Sequence, residues 1–132
     1  MDMTTSYMGL SLRSPLVASA GPLNADLDHL KRLEDHGAGA VVLPSIFEEQ
    51  IAREQALLDD LMLAGIDSNP EGLSYFPPAS AFDFNTQSHL DLVSRASAAL
   101  NIPVIASLNG TTDHGWIEHA VEVERAGARA IA

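Results

Sequence analysis

The sequence predicts an α/β fold of parallel strands alternating with helices. Three observations predict it. Short apolar runs of buried-strand type recur at Leu16-Val17-Ala18-Ser19, Ala40-Val41-Val42-Leu43 and Pro103-Val104-Ile105-Ala106-Ser107-Leu108. Stretches with apolar residues at helical spacing separate them. A helix-to-strand joint also recurs: Glu34-Asp35-His36-Gly37-Ala38-Gly39-Ala40-Val41 is echoed by Glu124-Arg125-Ala126-Gly127-Ala128-Arg129-Ala130-Ile131. The resulting order, β-α-β-α-(α)-β-α-β, makes βαβ units and a parallel sheet. An open doubly wound sheet and a (β/α)8 barrel both satisfy it.

The elements follow in order. Thr4 to Arg13 alternates loosely around Gly9 and reads as a small hairpin or two short edge strands. Leu16–Ser19 is the first buried strand, stopped at Ala20-Gly21-Pro22. Asn24 or Asp26 can cap a helix that aligns Leu27, Leu30 and Leu33, with His36 in its last turn and Gly37 as its stop. Ala40–Leu43 is the second strand, ended by Pro44. Ser45-Ile46-Phe47-Glu48 has capping-box spacing, and the helix after it sets Phe47, Ile51, Leu58 and Leu61 on one side and ends near Gly65. Residues 66–85 form a long loop with four prolines and glycines at Pro70, Gly72, Pro77 and Pro78; loops of such length carry function or are disordered. Thr86 opens a helix with Leu90, Val93 and Leu100 inward. The third strand turns at Asn109-Gly110. Thr111 or Thr112 starts the last helix, which carries Trp116, Ile117, Ala120 and Val123 and closes at Gly127. Arg129-Ala130-Ile131 opens a fourth strand and the sequence stops. A full barrel needs about 250 residues. Residues 1–132 are therefore expected to be the N-terminal part of a single (β/α)8 TIM barrel domain, truncated after the start of strand 4.

Composition narrows the function. With 132 residues, 46% hydrophobic and 19% charged, the chain suits a globular domain that folds without disulfides. It has no cysteine, which removes thiolate metal sites and a cysteine nucleophile from these residues. The net charge of −11 lacks the basic footprint that nucleic acid or an anionic membrane surface requires. No apolar run approaches the roughly 20 residues of a membrane span. The start, Met1-Asp2-Met3-Thr4-Thr5, has neither the basic nor the apolar region of a signal peptide. A cytoplasmic protein is expected.

In a parallel α/β fold, sites lie at the C-terminal ends of strands. That nominates Ser19-Ala20-Gly21, where small side chains let a planar ligand approach the backbone; a strand-to-loop turn needs the same residues. It nominates Ser45, although the spacing to Glu48 favours a helix cap. It nominates Asn109, whose amide can bond a heterocycle, although Asn-Gly is a common turn. Ser107-Leu108-Asn109-Gly110 is the strand end that carries it. The five histidines show no metal-ligand spacing on a helix: His114 and His119 face different sides, and His29 and His36 read as surface residues. No metal site is expected. Glu48, Glu49, Glu54, Asp59 and Asp60 read as a solvated helix face. Neither GxGxxG nor GxxxxGK[ST] is present.

Several segments nevertheless resemble one family. Ser14-Pro15-Leu16-Val17-Ala18-Ser19-Ala20-Gly21-Pro22-Leu23 resembles the first barrel strand of the dihydroorotate dehydrogenase family. The run from Gly37 to Ile51 resembles its second strand. Tyr75-Phe76-Pro77, the run from Asn101 to Gly110, and Gly115-Trp116-Ile117 extend the likeness, which covers almost the whole chain. The variant form is similar to the dihydroorotate dehydrogenase-like branch of the class 1 enzymes. The resemblance implies an FMN-dependent oxidoreductase of pyrimidine biosynthesis that acts on a small, dihydroorotate-like molecule. It implies that Ser19, Ala20 and Gly21 pass their backbone along the flavin, with Ser45 at the flavin edge and Asn109 in the same pocket. The catalytic residue and the FMN phosphate site would lie beyond Ala132, so residues 1–132 alone are expected to be inactive and to hold FMN poorly. The family carries a Lys, contacting flavin and substrate, where this chain has Pro44. That difference keeps two alternatives open. One is a related flavin barrel acting on another substrate. The other is a non-catalytic half-barrel that pairs with a partner chain, as in a homodimer.

Overall fold

The computed structural model describes residues 1–64, 86–110, 112 and 116–132. The long connection over 66–85, the Tyr75-Phe76-Pro77 segment, Gly65, Thr111, His114 and Gly115 lie outside the described residues.

The chain opens with an antiparallel hairpin, β1 (Thr5–Tyr7) and β2 (Leu10–Leu12). Met8 and Gly9 form its turn with φ of 50° and 75°. Positive φ at both central residues is the turn geometry that matches the twist of paired strands, and glycine adopts it without strain. β3 (Val17–Ala18) follows, then a short 3-10 turn (Pro22–Ala25) and α1 (Leu27–Asp35). Of the two candidate caps, Asp26 holds the helix start: its carboxylate accepts from the Asp28 N–H.

β4 (Ala40–Phe47) leads into α2 (Glu48–Ala64). Here the expected capping box is corrected. Ser45 stands within the strand, and Pro44 does not end it. Proline cannot donate to a ladder, so the pairing slips around it. Val42 pairs with Ile105 but Ser45 pairs with Ser107, so β4 spends one more residue than its neighbour between these pairs. This is a bulge. The N–H of Phe47, just before α2, donates instead to Gln50 Oε1 at 3.1 Å. α2 buries Ile51 but exposes Leu58 and Leu61, so the expected apolar side of this helix is only partly covered.

α3 (Thr86–Ala99), β5 (Val104–Asn109), α4 (Ile117–Ala126) and β6 (Ala130–Ile131) complete the described chain. α4 begins after Trp116 rather than at Thr111 or Thr112, and Trp116 and Ile117 are exposed. The residues it buries are His119 and Val123. The repeated joint seen in the sequence has a physical counterpart. Gly37 and Gly127 adopt φ of 98° and 113°. At the first, Gly37 N–H bonds Glu34 O and Ala38 N–H bonds Leu33 O; at the second, Gly127 bonds Glu124 O and Ala128 bonds Val123 O. Both helices thus end in the same left-handed glycine closure.

β3, β4, β5 and β6 form one parallel sheet in that order. Its two faces differ. Val41, Leu43, Val104 and Ala106 join Leu30 of α1, Leu92, Val93 and Ala96 of α3, and Val123 of α4 in one buried cluster. The alternate residues, Ala40 and Ile105, with Val17, Val42 and Ala130 beside them, pack instead against Leu12 of the hairpin. Three helices therefore share one face, while the other is met by the hairpin. A parallel sheet with strands in chain order and helices on one face is compatible with half of an α/β barrel. Among the described residues, no helix is long and apolar enough to cross a membrane.

Candidate functional site

The C-terminal ends of β3, β4 and β5 collect small polar residues. Side chains alternate along a strand, so Ser107, two residues beyond Ile105, stands on the hairpin-side face of the sheet. The bulge at Leu43-Pro44 brings Ser45 to that same face. Ser45 Oγ and Ser107 Oγ lie 2.7 Å apart, a hydrogen bond between neighbouring strands. Without the extra residue Ser45 would point toward the helices. Each hydroxyl carries one hydrogen, so the pair spends one between its members and keeps the other to donate outward. The next pair on the face is Phe47 and Asn109, both exposed.

Ser19 and Ala20 are exposed and Gly21 is half-buried, with open space where a Cβ would stand. Asn24 fixes this strand end. It is buried, and its Nδ2 donates to Ser19 O at 2.9 Å and to Val42 O at 2.7 Å. β3 pairs with β4 only as far as Ala18 and Val41. Asn24 thus takes over where the ladder runs out, and it ties the end of β3 to the bulged part of β4. Of the predicted residues, the structure joins Ser45 to Ser107 and sets Asn109 two positions further along the same strand face. Ser19, Ala20 and Gly21 sit at the end of the adjoining strand.

Sequence reasoning missed three groups. Asn24 was weighed only as a helix cap. Glu48 was assigned to a solvated helix face, yet it is 7% exposed and its carboxylate accepts from the Thr112 N–H at 2.9 Å and from the Thr112 hydroxyl. Its position in the first turn of α2 suits a carboxylate, because the amide dipoles there favour negative charge. Glu54 of the same presumed face accepts from the Thr86 N–H, at 3.1 and 3.2 Å, and so caps α3.

The third group is a histidine pair that joins two helices rather than one. His89 of α3 and His119 of α4 are both buried, with Nδ1 of the first 3.2 Å from Nε2 of the second. Spacing along a single helix gives no sign of such a pair. Burial, reinforced by the neighbouring His119, pushes His89 down to about 4. Burial also lowers His119, against the opposing pull of Glu122 and Glu54. Two adjacent cations in this apolar layer would be costly, so the pair is neutral near pH 7. Among the described residues, no group of three or more His, Cys, Asp or Glu is placed to hold a metal ion.

The serine pair, the amide of Asn109 and the open backbone at 19–21 can bind and orient a flat polar molecule. Among them they present hydroxyl and amide donors but no group poised as a general base. No protein-family model matches the chain, and no curated protein matches it.

Proposed function

We propose that the chain is the N-terminal half of an FMN-dependent (β/α)8 barrel oxidoreductase resembling the dihydroorotate dehydrogenases. One observation carries this reading. A bulge at Pro44 turns Ser45 onto the face of the sheet away from the helices, where it meets Ser107 at 2.7 Å beside the open strand end at 19–21. In a barrel this face is the interior, and its C-terminal rim is where ligands bind. Among the described residues, the helices that pack on the sheet share one face, which supports a barrel over a doubly wound sheet with helices on both. The sequence likeness supplies the family.

The residues present fit a flavin. Gly21 leaves space for a ring to lie close, and Ser19 and Ala20 add only small side chains. In this reading the backbone at 19–21 carries one edge of FMN. The spare hydroxyl hydrogen of the Ser45–Ser107 pair donates to a flavin heteroatom, and Asn109 binds through its amide. FMN supplies acceptance of a hydride from a dihydroorotate-like substrate. Asn24 acts indirectly by holding Ser19 and Val42 in register.

Pro44 favours a second reading, a flavin barrel for another substrate. It has neither charge nor donor, so it cannot pair with a substrate carboxylate as a lysine can. The test is anaerobic. The protein is taken from its source, and its flavin absorbance is followed as dihydroorotate is added. Bleaching supports the first reading. Flavin that dihydroorotate leaves oxidised supports the second. Protein that neither contains nor takes up flavin overturns both.

A further inference from the structure

We propose that Glu48 is a positioning residue for the site at the strand ends. Its buried carboxylate holds the connection between β5 and α4 so that Asn109 presents its amide to the ligand. The proposal rests on the flavin reading and adds to it a residue that acts through another.

The ladder between β4 and β5 ends at the pair Phe47 and Asn109. Glu48 follows Phe47 directly and is the first residue of α2. It is buried, which a carboxylate tolerates only with partners. It accepts from the Thr112 N–H at 2.9 Å and from the Thr112 hydroxyl. Hydrogen bonds to an ionised acceptor are among the stronger ones in proteins. Two such bonds therefore fasten the chain just past Asn109 to the start of α2.

Gly110 lies between these points. A Cβ there would stand 2.8 Å from Trp116 Cδ1 and 3.5 Å from Glu48 Oε2. The backbone leaving Asn109 thus passes beside the carboxylate and the indole, where a side chain would displace its neighbours. Strand pairing holds Asn109 from one side and Glu48 holds the chain on the other, while Asn109 itself stays exposed. A fixed backbone under an exposed amide is what orienting a ligand requires. The adjoining strand end uses the same device. Where β3 and β4 cease to pair, the buried Asn24 bridges Ser19 O and Val42 O. Two buried polar side chains thus take over where two ladders end, and each braces a strand end of the candidate site.

The test is an NMR titration of the 132-residue chain with FMN that follows the side-chain amide of Asn109 and the backbone at 19–21. Glu48→Gln and Thr112→Val each weaken the tie. Thr112→Ser keeps both donors and serves as the rescue. In the unaltered chain FMN should shift both groups. In Glu48→Gln and Thr112→Val its affinity should fall by about fivefold or more, roughly the worth of one hydrogen bond. At saturation the Asn109 shift should be lost and the shifts at 19–21 kept. Thr112→Ser should match the unaltered chain. If Glu48→Gln does not fold, the two Thr112 variants decide alone. Thr112→Val that binds FMN as tightly, with its Asn109 shift intact, overturns the proposal and leaves the flavin reading standing. So does Thr112→Ser that loses as much as Thr112→Val. Loss of all shifts together with a lowered thermal melt in Thr112→Val makes the tie structural only and also overturns it. An unaltered chain in which FMN shifts nothing overturns the flavin reading, and this proposal falls with it.

Discussion

The two ends of the parallel sheet are built differently. At the N-terminal ends of the strands the chain is closed tightly. Leu12 is buried against Ala40 and Ile105. The Arg13 guanidinium donates to Ala38 O at 3.0 Å and to Glu34 O, which holds the exit of α1. Gly39 is pressed so near Ser14 that a Cβ would stand 2.1 Å from its carbonyl oxygen. At the C-terminal ends, Ser19, Ala20, Phe47 and Asn109 are exposed, and a serine pair bridges two strands. One end spends its residues on packing and the other leaves polar groups available. Stability and binding are thus separated along the same strands, and substitutions at the two ends should report on different things.

The largest effect is expected at the closed end. Gly39→Ala sets a methyl group against backbone that cannot step aside, and it should cost about 3–5 kcal/mol in urea unfolding. Leu12→Ala removes the hairpin's anchor, 1% exposed, and should cost about 2–4 kcal/mol. A loss under about 1 kcal/mol for either would mean that this end is not closed as described.

The histidine pair, between the helices, sets a pH dependence that neither strand end controls. His89 sits near 4 in the folded chain against an ordinary 6.5. As pH falls through 6.5 the unfolded chain takes up a proton that the folded chain refuses. The stability that the neutral ring contributes is therefore complete above pH 6.5 and is lost progressively toward pH 4. The loss is on the order of 2–3 kcal/mol. Urea midpoints followed through this window should fall, and His89→Leu should flatten the part due to the ring. An equally steep fall in that variant would assign the effect to the carboxylates instead.

The smallest effect on stability is expected at the open end. Ser107→Ala removes one side-chain hydrogen bond and should cost about 0.5–1.5 kcal/mol. Under the proposed function the same change weakens flavin binding. Thermal melts and flavin titration of the variant measure the two separately, and a large stability loss would make the serine pair structural.

Much of the fold was legible because it rests on local chemistry. The strands at Val17, Val41, Val104 and Ala130 follow from apolar runs, and the glycine closures at Gly37 and Gly127 from a repeated joint. The hairpin follows from Gly9. What escaped depends on neighbours distant in sequence. Ser45 in Ser-x-x-Glu spacing is locally a good helix cap, but strand pairing with β5 outweighs it and Pro44 forces the bulge that turns it to Ser107. Asn24 has an ordinary cap composition, and only the early end of β3 gives its amide a better use. Glu48 reads from the sequence as part of a solvated helix face and His89 carries no local signal, yet partners 64 and 30 residues away, Thr112 and His119, account for their burial. The candidate site was legible as a set of strand ends, but not as a hydroxyl pair on one face.

The central claim is that the open strand ends form the flavin face of a barrel half. The most direct measurement is an amide NMR titration of the 132-residue chain with FMN. The account predicts weak binding whose shifts gather at 19–21, Ser45 and 107–109, while Leu12, Leu30 and Val93 stay in place. Shifts confined to the helical layer or to the closed end, or no shifts at any FMN concentration, would contradict it.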